Sequence, residues 1–554
     1  MGILARASLL LLLGAAACSP ASEDAAASTG DLTSLTARSR KLEFAGYVYV
    51  EDGMSDVQIL LTVKQQTQSA FGALQAANVG VKSRELANVD PATFLKVPVE
   101  VVDKNAPEGS VPRHMIRVAY TYSDEAIVPV TLADRSALSL ALLGTNYQSQ
   151  SAKILPECTK NDTLAHEFQN SVWYVFDPQV ASCAPAMADE QKKIDADRAG
   201  LDETQIPASE LTRLYIPTTV KLSPTDEAQA TKYPEYDLLY SGMGVESGKL
   251  VIGMVNGLMA DWAAGETHEL YEDAGYPMWF GGMREVFIAR PGFELVKVEG
   301  VEKPLDYEVA GVPIHFNTWK DLMAFELDKV NPPGMGGLAR DEVRKVIADT
   351  LSLKWVVFEA PVTVRMNGES YPLTIKLQTY FGSDTDQTPH KRAIKTSDIM
   401  VYNGHSYIGY GPLDPSRFTP EDFPGSYQVL HINGCVSYNY YNKDYVPLKV
   451  GGTKSLDIVT NGLQSWVTES GQATGRYVGA FIDGHMNSYK DILVKSQFTY
   501  YGYEWGMDAL RVVDGELDNT YDPATKPIAI ANGHPAPEPP PVTEPPPVNQ
   551  QVAH

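Results

Sequence analysis

Cysteine is scarce in this chain, four in 554 residues, too few for a scaffold built on disulfides and few enough that each thiol can be placed individually. Long apolar runs are missing as well: beyond the N-terminal leader nothing approaches the roughly 18 consecutive apolar side chains of a membrane-spanning helix. Positive charge is short. Against 69 Asp and Glu stand 45 Lys and Arg, a net charge of −24, and nucleic acid and anionic lipid surfaces repel such a chain. There is no internal repeat. The zinc-peptidase pattern His-Glu-x-x-His is absent, because His166-Glu167 and His268-Glu269 both lack the second histidine. The acidic turn holding Asp384 and Asp386 lacks the EF-hand pattern and reads as a solvated turn. Neither a metal site nor a cofactor is therefore expected. What is present, 44% hydrophobic and 21% charged residues, is the balance of a globular chain, and the length suits about three or four domains.

The first residues form an export signal. Met1 to Arg6 carries one positive charge, Leu9 to Leu13 is a pure leucine run, and Gly14-Ala15-Ala16-Ala17 leads into Cys18. Residues 1–18 resemble the signal peptide and lipobox of bacterial lipoproteins, although Ala15 stands where that family usually has leucine. The resemblance implies that Cys18 is lipidated and tethers the protein to a membrane of the bacterial cell envelope, outer membrane or periplasmic side. Ordinary cleavage at an Ala-x-Ala site, leaving a secreted protein, is the other reading. Export makes the remaining thiols interpretable. Cys158 and Cys183 lie 25 residues apart and bracket one compact segment, so they are expected to pair, leaving Cys435 single.

Along the chain, residues 19–40 are rich in Ala, Ser and Thr and read as a flexible tether. Residues 41–145 read as an α+β N-terminal domain: a strand around Phe44–Val50, a helix over Ser55–Ala76, strands at Val97–Val102 and Ile116–Tyr122. Residues 146–248 form a disulfide-stapled middle region with a helix near Ala186–Gly200. From residue 249 to 520 the texture is α/β, with a buried strand at Leu250–Gly257 and a hairpin signal at Asn367-Gly368. A helix near His390–Lys395 and two more buried strands, Ile399–Tyr402 and Tyr427–Ile432, complete that part. Residues 521–554 are a proline-rich tail without a core.

Those two late strands end alike. One runs into Asn403-Gly404-His405-Ser406, the other into Asn433-Gly434-Cys435-Val436-Ser437. In an open α/β sheet, ligands bind beyond the carboxyl ends of strands, and Gly404 and Gly434 permit sharp turns there. If the strands are neighbours in a parallel sheet, an imidazole and a thiol face one cleft, where the imidazole can take the thiol's proton. Asp483-Gly484-His485 carries a further histidine that reads as a satisfied polar residue.

This pattern resembles the caspase-like cysteine peptidases, the group of caspases, gingipains, legumains and separases. Their signature is a hydrophobic strand ending in histidine followed by a hydrophobic strand ending in cysteine. The 30 residues between His405 and Cys435 are close to the gingipain separation, and Gly434-Cys435-Val436-Ser437 looks like the Gly-Cys-x-Ser turn of separases. The resemblance covers at most about residues 249–515. It implies an α/β domain with a mostly parallel sheet flanked by helices, and a peptide or protein substrate. It also implies Cys435 as nucleophile, His405 as general base, and the Cys435 and Ser406 N–H groups as oxyanion hole. Ser406 replaces the glycine usual after the histidine. A second reading is an inactive surface lipoprotein that keeps this fold for binding or adhesion, with Cys435 an inert buried thiol.

Overall fold

The computed structural model describes residues 29–531 except 31, 108, 228–231, 260–269, 291, 302–305, 328–330, 333–334, 384, 466 and 497–508. The expected export signal with Cys18, Asp384, His268-Glu269 and the proline-rich stretch from 532 onward therefore lie outside the described residues.

The N-terminal half is organised by long antiparallel strands: β1 (Ala37–Glu51), β2 (Leu95–Val102), β3 (Arg113–Pro129), β4 (Ala137–Leu143) and β5 (Tyr215–Pro224). They lie in the order β4-β5-β1-β3-β2, with the short strand Gln205–Pro207 beyond β2. Leu42, Phe44, Val48 and Val50 of β1 are buried at alternate positions, the period of a sheet with one face on a core. Helices α1 (Asp56–Gln68) and α2 (Ala70–Ala76) arise from one continuous helical pattern split at Ser69. The Ser55 side chain accepts from the Gln58 N–H while the Gln58 side chain accepts from Ser55, so a capping box starts α1. Cys158 and Cys183 form the disulfide, and Cys183 opens helix α3 (Cys183–Arg198).

Three boundaries differ from the sequence reading. Strand β1 begins at Ala37, and Leu32–Thr33 is already a strand, so residues 32–40 are structured rather than part of a tether. Strand β5, from the middle region, lies between β4 and β1, so residues 41–145 and 146–224 share one sheet. Residues 521–531 belong to the folded body, because Ile528–Ala531 is a strand. Each difference comes from long-range pairing, which leaves no mark in local composition.

The C-terminal half holds a mixed sheet of β6 (Lys249–Gly257), β7 (Glu294–Val298), β8 (Trp355–Met366), β9 (Glu369–Gly382), β10 (Ile399–Asn403), β11 (Gln428–Asn433), β12 (Leu456–Asn461), β13 (Arg511–Asp514) and β14 (Ile528–Ala531). Their order is β7-β8-β9-β6-β10-β11-β12-β13, with Leu32–Thr33 beyond β13 and β14 pairing with β8. The expectation of a mostly parallel sheet holds at its centre only: β9, β6, β10, β11 and β12 are mutually parallel, and the pairings outside them are antiparallel. The β8–β9 hairpin turns at Asn367 and Gly368, both with positive φ, as a two-residue type I′ turn requires.

Helices cover both faces. On one, α4 (Gly275–Ala289), α7 (Val467–Ile482) and α8 (Tyr489–Ser496) pack with Ile252, Val401, Val429 and Val459. On the other, α5 (Gln387–Lys395) and the N-terminal half meet Met400, Leu430, Ile432 and Ile458. Two-sided burial explains why β6 and β10 read as unbroken apolar runs. It also leaves the carboxyl ends of the parallel strands as the place where backbone turns can hold a site.

Candidate active site

Each of the four strands β6, β10, β11 and β12 ends in the same dipeptide: Asn256-Gly257, Asn403-Gly404, Asn433-Gly434 and Asn461-Gly462. Of these, Asn403-Gly404 and Asn433-Gly434 are singled out as turns by the sequence; Asn461-Gly462 carries no such mark there. In the structure the asparagines do something else. All four are buried and their amides form one ladder across the strand ends. Asn461 donates to Asn433 (2.8 Å), Asn433 to Asn403 (2.8 Å), and Asn403 to Asn256 (2.9 Å). Thr474 of α7 also donates to the Asn403 carbonyl, at 2.8 Å. Hydrogen bonding satisfies the interior of the ladder, from Asn461 Nδ2 to Asn256 Oδ1, while Asn461 Oδ1 and Asn256 Nδ2 at its two ends have no hydrogen-bond partner among the described residues.

The ladder sets the register Asn403↔Asn433 between β10 and β11. His405 and Cys435 each stand two residues beyond that pair, so the structure brings both predicted residues to neighbouring turns of one sheet edge. The turns touch. A Cβ added to Gly434 would lie 3.2 Å from the Gly404 carbonyl oxygen, 3.5 Å from the Ser406 Cβ and 3.6 Å from the Ser406 nitrogen. Glycine at 434 is thus needed for close approach rather than for an unusual φ.

Three of the ten non-glycine residues with positive φ among the described residues lie at these turns. Tyr407 and Ile408, just after His405, have φ of 50° and 53°, and Val436, just after Cys435, has φ 46°. Left-handed conformations cost about 1–3 kcal/mol in residues of this kind. Neighbouring bonds hold them. The Val436 N–H donates to the Leu463 carbonyl (2.9 Å). The Ser437 hydroxyl donates to the Ile432 carbonyl (2.6 Å) and accepts from the Asn461 N–H (2.8 Å). Tyr402 and Tyr441 donate to the carbonyls of His405 (2.8 Å) and Ser406 (2.9 Å).

Cys435 is a free thiol of intermediate exposure. Its sulfur donates to the Ser465 carbonyl at 3.6 Å. Burial pushes its pKa up, opposed more weakly by contacts with Ser465 and with its own backbone N–H. The resting group is therefore a thiol, so attack needs a base that removes the proton as the bond forms. His405 is half-buried, with its ring edge-on to Tyr407 at 5.6 Å.

The N-terminal half stands over these turns. Asn439, in helix α6 (Ser437–Tyr441), donates to the carbonyls of Ser83 (2.7 Å) and Val81 (3.2 Å). Arg84 donates to the Gly409 carbonyl (3.0 Å), and Gln75 to that of Gly462 (3.3 Å). Tyr174, from the disulfide-bracketed segment, stacks on Phe71 and Phe168, and burial, then the nearness of Cys435, raises the pKa of its hydroxyl. His485 sits elsewhere: it follows α7, next to the segment whose Tyr489 bonds Asp457 at the amino end of β12. Asp386 caps α5 by accepting from the Thr388 N–H. Among the described residues no cluster of three or more His, Cys, Asp or Glu is placed to hold a metal ion, and no helix is long and apolar enough to cross a membrane. Comparison of the chain with protein-family models, with curated proteins and with solved structures finds no match.

Proposed function

We propose that the C-terminal α/β half is a caspase-like cysteine peptidase domain, exported and anchored in the bacterial envelope through Cys18. The observation that carries this reading is the adjacency of β10 and β11, which sets the His405 and Cys435 turns against one another at Gly434. Cys435 attacks the carbonyl carbon of a peptide bond while His405 takes the thiol proton. The N–H groups of Cys435 and Ser406 stabilise the oxyanion. The amine leaves with the proton from His405, and water hydrolyses the acyl-enzyme. Neither a cofactor nor a nucleic-acid partner enters this scheme. Side chains between residues 249 and 515 supply the chemistry, and the N-terminal half bounds the approach to it.

One observation favours a second reading, a non-catalytic binding lipoprotein: the thiol is half-buried and already bonded to the Ser465 carbonyl. Alkylation by iodoacetamide in the folded protein at pH 7.5 separates the two. Under the peptidase reading Cys435 is modified to completion, His405→Ala slows the reaction at least about tenfold, and an unstructured protein substrate is cleaved by native chain but not by Cys435→Ala. A Cys435 that resists alkylation until the chain is unfolded overturns the peptidase reading.

A further inference from the structure

The asparagine ladder has a direction, and a carbonyl sets it. The Asn461 Nδ2 lies 3.2 Å from the backbone oxygen of Gly434, which can only accept. The Asn461 amide must therefore present its NH2 to that oxygen, and the second proton of the same group goes to Asn433 Oδ1. Asn433 is then obliged to donate to Asn403, and Asn403 to Asn256. Each amide orientation thus follows from the one before it.

The Gly434 carbonyl belongs to the same peptide unit as the Cys435 N–H. A trans peptide is planar, with C=O and N–H pointing to opposite sides. Holding the oxygen inward against Asn461 therefore turns the Cys435 N–H to the opposite side of the peptide, away from Asn461. The neighbouring bond from the Asn461 N–H to Ser437 Oγ ties the same residue to the far side of the Cys435 turn. Asn461 thus grips that turn on both sides, from the next strand, without touching any reacting atom.

We propose that Asn461 is a positioning residue for acyl transfer at Cys435: by pinning the Gly434 carbonyl it fixes the aim of the Cys435 N–H as oxyanion donor. This rests on the peptidase reading above. The proposal separates two reactions of one thiol. Alkylation by iodoacetamide passes through no oxyanion and needs only the sulfur. Acylation by p-nitrophenyl acetate forms a Cys435 Sγ–carbon bond, passes the thiol proton to His405 and places negative charge on the carbonyl oxygen. The carbon–oxygen bond then breaks and p-nitrophenolate leaves.

The experiment measures both rates on the full folded chain for wild type, Asn461→Ala and the nearly isosteric Asn461→Asp. The Asn461→Ala acylation rate is expected to fall about 10²-fold, the loss typical of a misaimed oxyanion donor, with alkylation within about twofold of wild type. Asn461→Asp places an ionised carboxylate against the Gly434 oxygen and is expected to lose acylation at pH 8. Relative to wild type it should recover as pH falls, because the protonated carboxyl can donate again. Equal loss of both reactions in either variant overturns the proposal, since it shows a general structural role; so does acylation at the wild-type rate in both variants. If wild type itself is neither alkylated nor acylated, the peptidase reading fails and this inference fails with it.

Discussion

Asp457 offers the best-defined test of the energetics of this fold. It lies near the amino end of β12, fully buried, and one carboxylate oxygen accepts from the Tyr427 hydroxyl (2.5 Å), the Tyr489 hydroxyl (2.5 Å) and the Asn519 amide (2.6 Å). Those three donors favour the charged form, yet burial outweighs them and raises the pKa from 3.8 to about 7. Between these values the folded chain keeps a proton that the unfolded chain has released. The stabilisation is complete below about pH 4 and is lost as pH rises through about 7. At about 1.36 kcal/mol per pKa unit the full range is about 4 kcal/mol, of which about 2–3 kcal/mol falls between pH 5 and pH 8. Asp457→Asn cannot ionise, and its carbonyl can accept from the same three donors. Its NH2 replaces an oxygen that has no hydrogen-bond partner among the described residues, at a pH-independent cost of about 1–3 kcal/mol. The variant should therefore gain about 2–3 kcal/mol on wild type between pH 5 and pH 8, whatever that constant cost. Urea unfolding followed by circular dichroism at both pH values gives this double difference, in which the other titrating groups cancel. A wild-type-to-variant difference unchanged with pH would refute the reasoning.

Three further outcomes are expected. Replacing Cys158 and Cys183 together by serine opens a loop of 25 residues and should cost about 3–4 kcal/mol by the chain-entropy relation, read from urea midpoints with and without reductant. Ser437→Ala strands the Asn461 N–H in a buried site and should cost about 1–3 kcal/mol in the same assay. Gly434→Ala brings a Cβ to 3.2 Å from the Gly404 oxygen and should part the two turns by a few tenths of an ångström. Cys435 acylation by p-nitrophenyl acetate should then slow about tenfold or more, while the urea midpoint barely moves.

Much of the C-terminal architecture was legible because two-sided burial leaves a loud signal. Unbroken apolar runs marked β6 and β10, and Asn367-Gly368 marked the hairpin, since each depends on local sequence alone. The disulfide was legible because a low cysteine count and a spacing of 25 residues left few pairings. The edges of the sheet were not. Leu32–Thr33 and Ile528–Ala531 are too short to carry a period, and they become strands only because β13 and β8 offer them partners. The insertion of β5 between β4 and β1 joins residues 72 to 184 positions apart in sequence, a relation no local window contains.

The site was half legible for a related reason. His405 and Cys435 stood out because their side chains announce chemistry, and the adjacency of their strands made the pattern meaningful. The supporting residues did not stand out, because asparagine before glycine is the commonest of turn signals. Its fourfold repetition at the ends of four buried strands was the available clue, and Asn461-Gly462 was the member overlooked. A turn signal explains one such pair. It does not explain why all four asparagines are buried and bonded in series, since turn asparagines ordinarily face water. The strained residues complete the argument. Tyr407, Ile408 and Val436 hold left-handed backbone immediately after the two candidate catalytic residues, and such strain persists only where surrounding structure over-determines it. The ladder beneath and the Ser437, Tyr402 and Tyr441 bonds around it supply that constraint. A sheet edge built only to end strands has no use for strained turns on a rigid base. The proposed peptidase site, which would have to hold a thiol, a base and two N–H groups within a few tenths of an ångström, does.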